Sequence, residues 1–307
     1  MNKLFILIPA AALLLAGCEQ SARALDIPFA PTADKALQDP DNPRKTFRVD
    51  FARVEHDFPL SREDLMKITP ENVKELSQEQ VDQIYARLTA GPIPDGGYRG
   101  DLFFRKGDTL RSRVGEIAGG LKGEVVDVKI ELLEKVGRTL WKGKQFDRDQ
   151  MVLRNYISDA PFLLPLLGGH TRGIESTRID RTGPLARVFS QNEVWLLFPA
   201  KLYCGQSLLD GRREAVVIDY AFNDEIEGYR EKPDALVGRK GLRIRDEIRM
   251  VRPGFYLGRA YVNRIFLLNF TLYNDEVAEA GTPPFRAGAD IDEDCWVGEQ
   301  IRQAGVQ

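Results

Sequence analysis

Apolar and polar residues alternate in short runs through the second half of the chain. Thr139–Phe146, Met151–Ile157, Ala186–Phe189, Val194–Phe198, Glu214–Tyr220, Leu242–Val251, Phe255–Val262 and Ile265–Tyr273 each read as a short strand, the period of two that turns one face toward a core being clearest in Leu242–Val251. Short strands at roughly even spacing, separated by turns, predict an antiparallel β-barrel or sandwich. The turn residues specify how neighbours join: Asp210-Gly211 precedes the run Glu214–Tyr220, Pro253-Gly254 separates the two runs around it, and Asn263-Arg264 closes the next hairpin. The last strands therefore form a meander. Ile265 to Leu272 is apolar on both faces, which predicts a strand covered on one side by the barrel interior and on the other by helices or a second layer.

Upstream the period changes. Thr46–Phe51 alternates briefly and predicts a first strand. Ser61 with Asp64, and Ser77 with Gln80, each place a side-chain acceptor three residues before a partner, the signature of a helix start. Val81, Ile84, Tyr85 and Leu88, spaced by three and four, form the apolar face of a helix over Gln78–Leu88, which Gly91-Pro92 ends. The turn-rich stretch Gly91–Gly100 leads into a strand over Tyr98–Phe104. Thr109–Val136 has helical spacing broken at Gly119-Gly120, although Val125 to Ile130 also alternates as a strand would. The expected class is α+β, mainly β, with a helical N-terminal part over 46–94, a barrel over 95–275 and a polar C-terminal tail over 276–307.

The first seventeen residues read differently from all of this. Lys3, the apolar stretch Leu4–Leu15 and small residues after it have the layout of a secretory signal, and Leu15-Ala16-Gly17-Cys18 resembles the lipobox of bacterial prolipoproteins. That resemblance implies cleavage before Cys18 and acylation of its thiol by palmitate-type chains, each buried methylene being worth about 0.8 kcal/mol. Glu19, rather than Asp, follows the cysteine, so the outer membrane, periplasmic side, is the expected location. Residues 18–45, interrupted by Pro28, Pro31, Pro40 and Pro43, would serve as a tether reaching on the order of 25–30 Å. No later apolar run approaches the roughly 18 residues of a membrane-spanning helix.

Composition narrows the functional classes. With 43 basic and 46 acidic residues and a net charge of -3, the chain lacks the basic excess of a nucleic-acid binder. Beyond Cys18 there are two cysteines, Cys204 and Cys295, and an oxidising compartment predicts a disulfide between them; two buried free thiols are the alternative. These cysteines and the distant His56 and His170 offer none of the short spacings of a zinc site, and no motif for a nucleotide, haem or other cofactor is present, so no cofactor or metal is expected. No nucleophile elbow, Walker loop or metalloprotease helix is present either.

Polar residues inside apolar strands are the remaining signal. Leu242, Ile244, Asp246, Ile248 and Met250 share a face on which only Asp246 is charged; Arg259 shares one with Phe255, Leu257 and Tyr261; Asn269 interrupts Ile265–Tyr273; Asp219 ends Val216–Tyr220. A buried charge is costly unless paired, so Asp219, Asp246, Arg259 and Asn269 are candidate polar groups of a barrel cavity, the alternative being a structural pair or a solvated face. The runs Leu140–Phe146, Asp210–Tyr220, Asp246–Arg259 and Phe266–Phe270 resemble small lipocalin-like barrels of the calycin type, including GXWXG-type families, in which an early Trp plugs the barrel floor beside a basic residue of a late strand. The resemblance implies Trp141 and Arg259 in those places, although Gly137 stands four residues before Trp141 rather than two. The leading expectation is a lipid-anchored protein that binds or shuttles an apolar, lipid-like molecule. Two others stand beside it: an envelope lipid- or polymer-modifying enzyme using His170, Asp219 and Asp246, and an interaction protein presenting the Arg-rich stretch Arg230–Arg252.

Overall fold

The computed structural model describes residues 25–31, 49–104, 140–158, 172–180 and 191–298. The strands are β1 (Gly96–Phe103), β2 (Trp141–Asp147), β3 (Val152–Ser158), β4 (Ser176–Asp180), β5 (Gln191–Gln206), β6 (Glu214–Asp219), β7 (Ile244–Arg252), β8 (Phe255–Val262) and β9 (Ile265–Tyr273). All pair antiparallel, in the order β3-β2-β1-β9-β8-β7-β6-β5-β4, and β3 also pairs with β5. That last pairing closes an eight-stranded, lipocalin-like barrel, with β4 added alongside the first turn of β5. The expected antiparallel barrel is thus the fold.

One side of each strand fills the barrel, through Tyr98, Phe146, Leu153, Ile218, Ile248, Tyr256, Phe270 and their neighbours. The other side of β7 and β8 carries Val251, Phe255 and Leu257, and these are covered by helices α2 (Arg62–Lys67) and α3 (Gln78–Ala86), with α1 (Phe51–Asp57) beside α3. Both serine caps form as read: Ser61 and Ser77 each accept from the backbone of Asp64 and Gln80 and receive the reciprocal bond, satisfying donors the first helical turn leaves open. Val81, Ile84 and Tyr85 are buried, so α3 lies on the sheet by the predicted face. Asn263 and Arg264, both in the left-handed region at φ 48° and 72°, make the tight β8–β9 turn.

Three expectations need correction. The strand over Thr46–Phe51 is not formed in its described part: Asp50 caps a helix that begins at Phe51, its carboxylate accepting from the amides of Ala52 and Arg53. The polar tail over 276–307 instead begins with helix α5 (Asp275–Arg286), which follows the short α4 (Glu231–Asp234) and is capped by Asn274, and burial of Phe285 and Ala278 against the barrel end supplies what its sparse apolar content concealed. The strand Val194–Phe198 runs on to Gln206, because it bends at Phe198 instead of ending there. The helical reading of Thr109–Val136, the strand Ala186–Phe189, the signal with Cys18, and His170 lie outside the described residues.

The C-terminal segment after α5 is strapped across the barrel end where β5 turns into β6. Cys204 of β5 and Cys295 form a disulfide with Cα atoms 5.3 Å apart. Around it, Trp296 and Glu214 exchange hydrogen bonds of 2.9 Å, Asp294 accepts from the Ile93 amide at 2.7 Å and pairs with Arg148, and Glu293 accepts from the Gly91 amide at 2.7 Å.

Candidate functional site

The barrel interior is filled at one end and open at the other. Tyr98, Phe146 and Tyr256 plug the strapped end, their rings packed edge to face at 5.5 and 5.7 Å. Toward the opposite end lies a cavity of about 110 Å³ walled by Leu102, Trp141, Ile157, Phe198, Val237, Ile244, Ala260, Leu268 and Phe270. Two of its rings sit over glycines. A Cβ on Gly100 would lie 2.1 Å from the Trp141 ring, and one on Gly258 2.2 Å from that of Phe270, so these aromatic side chains lie flat against the wall only because no side chain intervenes.

The floor of the cavity is polar. Lys144, 2% exposed, directs its Nζ to Asn155 Oδ1 at 2.9 Å, Tyr220 Oη at 2.7 Å and Asp246 Oδ2 at 2.9 Å. Trp141 Nε1 donates to the same Asn155 oxygen at 2.9 Å, and Asn155 Nδ2 donates to the Phe198 carbonyl at 2.9 Å. The rings of Trp141, Tyr220 and Phe270 surround the amine with centroids 5.4 to 5.6 Å away. Burial pulls the Lys144 amine below its usual range, while the charge of Asp246 and the bond to it act in the opposite sense. Burial, with the Asp246 carboxylate beside it, pushes the Tyr220 phenol well up, so it stays protonated. The cluster is charge-balanced and buried, and it presents one amine, one carboxylate, one phenol and one amide to an apolar space.

Phe198 joins this floor to a loop at the open end. It adopts φ 54°, a region costly for a bulky residue, at the point where the β3–β5 register slips. Its amide is held by Asp234 Oδ1 at 2.8 Å and its carbonyl by Asn155, so both groups freed by the bulge are satisfied by side chains.

The structure divides the residues singled out from sequence. Trp141 and Asp246 line the cavity together, although Trp141 forms its wall and Lys144 its floor. Arg259 and Asn269 do not: they point outward beneath α3, where Arg259 pairs with Asp82 and bonds Tyr261 while Asn269 receives and returns bonds with Gln78. Asp219 is also on the outer face, opposite Arg245 in the β6–β7 register, and accepts from the Tyr203 hydroxyl at 2.8 Å. Asp246, opposite Ile218, faces inward, so the two aspartates proposed as an acid/base pair lie on opposite sides of the sheet. The Arg-rich stretch is divided: Arg249 and Arg252 are turned into the molecule, Arg249 donating to the carbonyls of Tyr85, Asp210 and Arg213 and Arg252 to that of Leu65, whereas Arg239 and Arg243 are exposed. His56 is exposed beside Asp57.

Lys144 and Asn155 were missed, and both had a signal. Asn155 is the one polar residue on the face Leu153–Asn155–Ile157, the rule that found Asp246. In Trp141-Lys-Gly-Lys-Gln-Phe146 strict alternation would set Trp141 and Lys144 on opposite faces, but Gly143, at φ 138° and at the register slip against β3, resets the phase and brings both inside.

Fold and site together define a lipocalin-like barrel with a half-filled apolar interior and a buried Lys–Asp–Tyr–Asn floor. No protein-family model, curated protein or solved structure matches the chain.

Proposed function

We propose that the protein binds a small apolar or amphipathic molecule inside the barrel, held near a membrane by acylation of Cys18 at the periplasmic face of the outer membrane. The cavity carries this reading: a walled apolar space in the half of the barrel left unfilled, with a few convergent polar groups at its base, is the form small-molecule sites take. Its size matches a ring-sized ligand or the end of a longer chain, since an apolar cavity of about 150 Å³ accommodates benzene. Residues 25–31 of the expected tether pack on α3 through Ile27 and Ala30, so acylation at Cys18 would keep the barrel beside a source of lipid-like molecules on a shorter leash than 18–45 implied.

1-Aminonaphthalene should bind the purified chain with micromolar or better affinity and quench tryptophan emission, and Trp141→Phe should remove most of that quenching. Absence of saturable binding would end the reading. For the anchor, Cys18→Ala should release the protein in soluble form or stall its precursor in the inner membrane, whereas unchanged outer-membrane fractionation would exclude acylation there.

A further inference from the structure

We propose that Lys144 takes a carbonyl ligand covalently: an apolar aldehyde or ketone entering the cavity forms an imine with its Nζ, with Asp246 as the proton carrier and counter-ion. This rests on the cavity being a ligand site and names the chemistry of what fills it.

The argument begins with the choice of cation. Among the described residues, the buried cations of the layer between barrel and helices are all arginine: Arg87, Arg249, Arg252 and Arg259. Each is tied to backbone carbonyls or, for Arg259, to Asp82, the bonding for which a planar, always-charged fork is suited. The buried cation of the barrel wall is the one lysine in that class, and a lysine differs from an arginine in being able to lose its proton and attack carbon. Stability does not account for it. A buried ion pair is generally no more stable than apolar residues of like volume, and every other interior position around this cavity within reach of Phe270 and Ile244 is apolar, aromatic or glycine apart from the partners of Lys144 itself.

The placement fits the reaction. Nζ lies at the base of an apolar space that would hold the hydrocarbon part of the ligand, and Asp246 Oδ2 is 2.9 Å away on one side with Tyr220 Oη 2.7 Å away on another. Asp246 accepts a proton from the ammonium; the amine's lone pair forms a C–N bond to the carbonyl carbon as the C=O π pair moves to oxygen, which takes that proton back. The resulting hydroxyl leaves as water with the proton lost by nitrogen, relayed through Asp246, and the C=N bond forms. Loss of water leaves the nitrogen as an iminium that keeps its last proton, a cation opposite the Asp246 carboxylate. The balance is one carbonyl and one ammonium in, one iminium and one water out, with no oxidant or reductant.

The full chain would be incubated with benzaldehyde and cyanoborohydride, which reduces iminium but spares the aldehyde at neutral pH, then weighed intact and peptide-mapped. The expected result is one benzyl addition at Lys144, formed roughly tenfold or more faster than at exposed lysines such as Lys201 and Lys240. Its rate should level off at lower pH than theirs, a profile that an ion pair with a purely structural role would not give. Lys144→Arg, and as a second variant Lys144→Met, should abolish this addition and leave surface labelling unchanged. If Lys144 stays unmodified while 1-aminonaphthalene still binds, the covalent inference is overturned and the binding reading survives. If neither reagent enters the cavity, both fall together.

Discussion

The residue that organises the interior is Lys144, and its energetics distinguish an ion pair from a mere packing position. Asp246→Ala leaves an uncompensated ammonium in a buried wall and should cost about 3–5 kcal/mol, read from the denaturant midpoint, whereas Lys144→Met with Asp246→Leu should recover most of that loss. Arg259→Ala breaks a pair of similar kind outside the barrel, so it should destabilise the fold while leaving 1-aminonaphthalene affinity unchanged. Asp234, which holds the Phe198 amide, has its carboxyl pushed by burial from the ordinary 3.8 up to about 6, with the amides of Phe198 and Arg230 acting in the opposite sense. The folded chain therefore keeps a proton there that the unfolded chain has lost. Through the window from about 4 to 6 this group makes stability fall as pH rises, by up to about 3 kcal/mol in all, and denaturation curves across that window should lose this slope in Asp234→Asn.

At the scale of elements, the glycines under aromatic rings are the features most sensitive to change. Gly258→Ala would put a Cβ 2.2 Å from the Phe270 ring, which can only move inward; a destabilisation of about 1–3 kcal/mol and at least a tenfold loss of 1-aminonaphthalene affinity are expected, measured by denaturation and by quenching. The helix starts were legible because a capping box is local chemistry: Ser61 and Ser77 need only the residue three positions on. The strands β8 and β9 were legible because tight turns at Pro253-Gly254 and Asn263-Arg264 bound them. Helix α5 was not, since its stability comes from docking Phe285 and Ala278 on a surface that exists only after the barrel forms. Nor was the length of β5, because a left-handed Phe198 is sustained by Asp234 and Asn155 from distant parts of the chain.

For the whole molecule, the barrel and its helical cover are fastened by the C-terminal strap. The Cys204–Cys295 bridge closes a span of 91 residues, and replacing both cysteines with serine should cost about 4 kcal/mol in the chain-entropy account, measured by thermal or denaturant unfolding. Because the strap lies at the plugged end, the same variant should keep its 1-aminonaphthalene affinity. The outer layer is stabilised by a different means. Arg249 and Arg252 reach from β7 to the carbonyls of α2 and α3 and of the segment before β6, so the charges that alternate along this strand serve two buried faces rather than one buried and one wet.

Local pattern and turn chemistry were enough to determine the class of this protein: period-two runs with tight turns between them commit the chain to an antiparallel meander, while the choice between a bridge and two free thiols at Cys204 and Cys295 came with the structure. That Asp246 shares a face with Ile244 and Ile248 was equally readable, since alternation along a strand fixes which residues lie together. Which side is the interior, however, is a property of closure. Arg259 and Asn269 interrupt apolar faces as Asp246 does, but their faces meet α3 instead of the cavity, because both surfaces of β7 to β9 are buried and a two-sided burial pattern carries no sign. Only the tertiary structure decided that, and only it brought Lys144, Asn155, Tyr220 and Asp246, from four strands or strand ends, to within hydrogen-bonding distance of one amine.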